Sequence, residues 1–303
     1  MIRPRRPARR GVTPAEVLTC MVVVGVVVLV LLMAMPRQRE NARMASCRRN
    51  LMQIGLGLAL YDRSAGSLPQ VPRLGPDTVS APSPLRAMLG TLELPDFTEL
   101  SAAPDARAPK RGPVPGEQRV PGFVCPSDSH AIDGGFAAPI SYRACAGDTP
   151  AGESGGFAPG RVRRLSDVEA GDGRAFTAAF SERMTGDGRD RTPATWNYAL
   201  MQGPVRAETA GPADPAVWFG DAGSSWVAPS WRNTLYNHSQ TPNAPVSVLA
   251  QDLATSTFGA SGYHASGVNV LIFDGSVRTL SPTVAPPVWK ALATVTSGQP
   301  PTP

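Results

Sequence analysis

The sequence predicts an α+β fold: a long N-terminal helix packed on an antiparallel β-sheet with long loops. Three observations predict it. An unbroken apolar run, Val17 to Met35, opens the chain after a short arginine-rich lead. Apolar residues then recur at helical spacing as far as residue 63. Beyond that, short strand-like segments alternate with Asp, Gly and Pro turns. Pro and Gly supply 32 and 30 of the 303 residues, and aromatics only 6%, which fits a loop-rich domain with a modest core.

The lead, residues 1–11, holds five arginines and no acid. It carries most of the net charge of +5, and without it basic and acidic residues balance. No second basic patch with interleaved aromatics follows, so nucleic-acid binding is excluded. The apolar run has 19 residues without a charge. At 1.5 Å per residue it reaches roughly 28 Å, about one hydrocarbon core, so residues 12–35 read as a transmembrane helix. Arginines flank both of its ends, and charge gives no vote on orientation. Over residues 36–63, Ala45, Leu51, Met52, Ile54, Leu56, Leu58 and Leu60 form the apolar side of an amphipathic continuation, with arginines opposite. Gly55 and Gly57 weaken that helix.

Residues 64–292 read as the head. Residues 101–119 show no periodicity and read as a surface loop. Ala175 to Phe180, Thr195 to Leu200 and Ala216 to Gly220 read as strands. Residues 261–280 read as a hairpin: strand Val268 to Phe273, a tight turn at Asp274-Gly275, and strand Ser276 to Leu280. His264 and Asp274 lie roughly 30 Å apart along a fully extended strand, too far to share a proton, so they read as turn-fixing residues. Residues 293–303 read as a disordered tail. Four cysteines without a Cys-x-x-Cys pair or a His cluster do not point to zinc, and no metal site is expected. His130, His238 and His264 have no visible nucleophile partner, so no enzyme is expected.

Gly11, Thr13 and Glu16 ahead of the apolar run resemble the type IV prepilin and pseudopilin leader, Gly then Phe-Thr-Leu-x-Glu. Val12 stands where Phe is usual and Pro14 where Leu is usual. Pro14 is acceptable in a first helical turn, where the missing N–H has no partner to lose. The resemblance implies cleavage after Gly11 by prepilin peptidase, with Val12 as the new, methylated N-terminus. It implies a role for Glu16 in assembly against the amine of a neighbouring pilin-like subunit. It also implies a pilin-like fold and a bacterial inner-membrane, single-pass location, with the N-terminus cytoplasmic and the head periplasmic.

Further segments resemble a bacterial family of prepilin-like proteins with a domain of unknown function. They are Cys47 to Leu58, Tyr61 with Gly66 to Pro69, Cys125-Pro126-Ser127-Asp128, Tyr236-Asn237-His238 and the closing Trp289 turn. His264 with Asp274-Gly275 matches a His-x9-Asp-Gly element associated with prepilin-type processing. The resemblance favours a Cys47–Cys125 disulfide, with Cys125–Cys145 as the alternative and three buried thiols as the remaining one. It implies no cofactor beyond a Ca²⁺ site of the kind some pseudopilins carry. The function expected is a non-catalytic, pseudopilin-like structural subunit of a type II secretion or type IV pilus-like assembly. The alternative is an uncleaved, membrane-anchored periplasmic binding domain.

Overall fold

The structure is a computed structural model that describes residues 14–75, 81–92, 118–206 and 217–296, apart from the side chains of 30–37. Gly11, Val12 and most of the 101–119 loop lie outside the described residues. The chain divides into two units, residues 1–42 and 43–303. Helix α1, Pro14–Ala65, belongs to both. Pro14 is its first residue and Glu16 lies in its first turn, where the helix dipole favours an anion.

In the first unit, the described side chains from Val17 to Leu29 are exposed. That stretch covers about 20 Å at 1.5 Å per residue. Among the described residues, no helix is long and apolar enough to cross a membrane. The expected transmembrane helix over 12–35, and with it the single-pass inner-membrane location, is therefore corrected. A span needs about 20 consecutive, predominantly apolar residues, and no stretch among the described residues supplies them.

In the second unit, α1 buries Cys47, Leu51, Ile54 and Leu58. Their spacing of four, three and four puts them on one stripe. Met52 and Leu56, read as part of that face, are exposed, because 100° per residue turns them away from it. Gly57 is explained by close approach. A Cβ there would run into the Leu92 side chain, and Thr91 Oγ1 donates to the Gly57 carbonyl at 2.9 Å.

The head holds two sheets, where one antiparallel sheet was expected. The five-stranded sheet comprises β1 (Tyr142–Cys145), β2 (Ala178–Glu182), β5 (Leu235–Tyr236), β7 (Val268–Ile272) and β8 (Val277–Leu280), in the order β5-β1-β2-β7-β8. The second sheet orders β4 (Val217–Phe219), β3 (Tyr198–Met201) and β6 (Val248–Ala250). Each sheet contains one parallel pair, β1 with β5 and β3 with β6. The fold is mixed α/β, and the expectation of a half-membrane helix on one antiparallel sheet is corrected on both counts. Parallel partners are joined by long connections with no tight-turn signature, which is why the sequence conceals them.

The central strands are buried on both faces. Along β7, Val268, Val270 and Ile272 join Tyr236, Trp289 and Ala293 in one cluster. Leu271 and Phe273 join Leu51, Ile54 and Phe180 in the other. The period-two alternation thus places α1 on one face and α5 (Pro286–Ala291) on the other. Ala293, Thr294 and Val295, expected in a disordered tail, are buried, and Val295 N donates to Ser154 O at 2.9 Å. The tail expectation is corrected for those residues; 297–303 lie outside the described ones.

Candidate functional site

Four residues far apart in sequence meet under α1. Cys47 comes from α1, Cys125 from the turn after Pro121–Phe123, Glu182 from the end of β2, and His264 from the loop that feeds β7. All four are buried. The structure joins Cys47 and Cys125 in a disulfide with Cα atoms 5.1 Å apart. His264 Nε2 lies 3.6 Å from Cys125 Sγ and 3.3 Å from Glu182 Oε1. One ligand atom from each residue falls within 4.8 Å of all the others.

The carboxylate is held from behind. Asn269 N donates to Glu182 Oε2 at 2.8 Å, and Asn269 Nδ2 to Oε1 at 3.0 Å. Asn269 Oδ1 accepts in turn from Thr279 Oγ1 at 2.7 Å. The hairpin therefore fixes Glu182 through β7 and β8. Burial, and then the charge of Glu182, pushes the Tyr142 phenol well above its ordinary range. Tyr142 OH and the Val124 carbonyl both accept from Asn50 Nδ2 at 3.2 Å, which ties α1 to the same region.

Beside the centre, Asp128 caps α3 (Ser129–Asp133), accepting from Ala131 N. Its Oδ2 also accepts from Ser141 Oγ and Thr185 Oγ1 at 2.8 Å and from Thr185 N at 3.0 Å. Burial raises the Asp128 pKa, against the effect of those donors. Arg143 and Arg183 are wholly buried within 6 Å of the Phe258 ring, at 5.6 and 4.6 Å. Burial lowers the Arg183 guanidinium to about 9.

The remaining predicted site residues fall elsewhere. Asp274 is exposed in the β7–β8 turn, where its Oδ1 accepts from Ser276 N at 2.8 Å and Ser276 Oγ at 2.6 Å. Gly275 adopts φ +88° beside it. His264 is not in that hairpin turn; it serves the buried centre. Cys145 is a buried free thiol on β1, pushed by burial to about 12, which leaves it no thiolate character at neutral pH. Glu16 stands in the first turn of α1. Glu182 and Asn269 were not singled out as site residues, because nothing in a linear spacing joins positions 47, 125, 182 and 264.

A separate cleft of about 410 Å³ opens over the smaller sheet, lined by Tyr198, Leu200, Phe219, Trp231, Asp221 and Arg232 among others. Arg232 Nη1 pairs with Asp221 Oδ2 at 3.1 Å, and Tyr198 OH donates to Asp221 Oδ1 at 2.8 Å. Aromatic walls with a few convergent polar groups are the usual build of a small-molecule site.

No curated protein and no solved structure matches the chain. A family described as "Protein of unknown function (DUF1559)" matches residues 36–286, from the middle of α1 to the start of α5. That match takes in the disulfide, the Glu182–His264 pair and both sheets, and the chain belongs to this family.

Proposed function

We propose that the protein is a non-catalytic, pilin-like structural subunit. Its leader is removed after Gly11 by prepilin peptidase, and the first half of α1 packs against the same segment of neighbouring subunits. One observation carries the reading. Val17, Leu18, Met21 to Val24 and Val26 to Leu29 are all about half-exposed or more, on a helix that is apolar on every side. Such a helix is stable only when covered, and helices of like sequence cover one another. Gly25 has open space around its Cα, which lets a neighbouring helix approach closely. As the leader resemblance implies, Glu16, in the first turn of α1, would meet the new amine of Val12 in an adjacent copy and set the register between them.

The disulfide and the paired His264 support a structural role for the head, since the sulfur nearest His264 is already bonded to another sulfur. The test is the intact mass and N-terminal sequence of the protein from cells with and without prepilin peptidase. A chain starting at methylated Val12 only when the peptidase is present is the outcome expected. A chain starting at Met1 in both would overturn the reading. It would favour the second one, a binding domain that uses the cleft over the smaller sheet.

A further inference from the structure

We propose that, once the Cys47–Cys125 bond is reduced, Cys47, Cys125, Glu182 and His264 bind one borderline-soft divalent cation of the zinc class. The donor set is two thiolates, one imidazole and one carboxylate, which suits a closed tetrahedral site. With zinc-like bond lengths, the S···N edge of such a tetrahedron is about 3.6 Å and the N···O edge about 3.4 Å. The structure holds Cys125 Sγ 3.6 Å and Glu182 Oε1 3.3 Å from His264 Nε2. Two edges of the polyhedron are therefore in place before any cation arrives. The remaining change is rotation of the Cys47 side chain until its sulfur stands about 3.8 Å from Cys125 Sγ.

The surroundings complete the site. Asn269 grips both carboxylate oxygens, which is the outer-shell support that orients a ligating carboxylate. A cleft lined by Cys125, Glu182, Gly262 and Tyr263 among others reaches the centre, with room for about one water. The chemistry balances. A dithiol reductant gives two electrons and two protons to the disulfide and leaves as a cyclic disulfide. The cation then displaces the two thiol protons to solvent. A small disulfide oxidant re-forms the Cys47–Cys125 bond by exchange: it takes the two electrons of the thiolates and two protons from solvent, leaves as two thiols, and the cation is released, so occupancy follows redox state.

The test uses the full chain carrying Cys20→Ser, which removes the exposed thiol of α1. The protein is reduced with a dithiol without oxygen, desalted and titrated with Co²⁺. One Co²⁺ per chain is expected, with tetrahedral ligand-field absorption and a thiolate-to-cobalt charge-transfer band, both erased by Zn²⁺. The oxidised chain should show neither. His264→Gln and Glu182→Gln should each weaken binding roughly tenfold or more, given what loss of outer-shell support alone costs. A reduced chain without the charge-transfer band overturns the proposal, as does an unchanged affinity in both variants. Circular dichroism on the same samples covers loss of fold: a reduced chain that unfolds and is not refolded by Co²⁺ also overturns it.

Discussion

His238 lies flat on Trp289, with ring centroids 3.5 Å apart and planes 1° from parallel. Its Nδ1 donates to the Trp289 carbonyl at 2.6 Å, so Nε2 must accept, and Tyr236 OH is its donor at 3.1 Å. Trp289 Nε1 donates to Gln240 O at 2.7 Å. The ring is wholly buried and neutral, and burial drives its pKa down to about 3. This stack holds α5 against the back of the five-stranded sheet.

A pH dependence follows from that stack. The unfolded chain protonates His238 near pH 6.5 while the folded chain does not until about 3. The unfolded state thus binds the extra proton throughout that window, and stability falls as pH falls through it. The slope from this one residue is at most about 1.4 kcal/mol per pH unit. Urea melts between pH 7 and 4 should show the loss. His238→Gln should flatten it, at the cost of lower stability at pH 7.

Asp128→Ala should destabilise the head by about 3 kcal/mol, because three buried donors from Ser141 and Thr185 lose their acceptor and α3 loses its cap. Asp128→Asn should cost less, since the amide oxygen still accepts. Chemical denaturation of the two variants measures the difference.

Reducing the Cys47–Cys125 bond in metal-free buffer should lower stability by roughly 2–5 kcal/mol. The bond closes a long stretch of chain, with 78 residues of sequence separation. Cys47→Ala with Cys125→Ala should show the same loss with or without reductant, whereas Cys145→Ala should not respond to reductant differently from the parent. Thermal melts with and without a dithiol make the comparison.

Gly267→Ala should cost about 2–4 kcal/mol. Gly267 adopts φ +120°, and a Cβ there would run into the Leu280 carbonyl across the β7–β8 pair. Hydrogen exchange in Val268–Ile272 should speed up in this variant, because that is where the hairpin joins the sheet.

Periodicity and turn chemistry made part of this molecule legible. The stripe Cys47, Leu51, Ile54 and Leu58 follows helical spacing, and Asp274-Gly275 marks a hairpin whose strands run within a residue of the expected bounds. The strand expected from Ala175 begins later, at Ala178, because Arg174–Phe176 forms a 3₁₀ turn first. The parallel pairs were not legible: Ala144 meets Leu235 and Ala199 meets Val248 across long connections that carry no pairing signal. The buried centre was least legible, since its residues come from four separate segments and only folding brings them together. The apolar run before Leu29 misled for a different reason, as hydropathy reports that a helix needs cover and not what covers it.

The Cys47–Cys125 bond also changes what a break in the chain does. Any single cut between those two residues leaves α1 and the sheets as one covalent molecule. Such a nicked chain would travel at full mass in a non-reducing gel and fall into two pieces only after reduction. A protease acting in that interval would alter the protein's connectivity without releasing its helix, and the sulfur bridge would then be the tether between the two pieces.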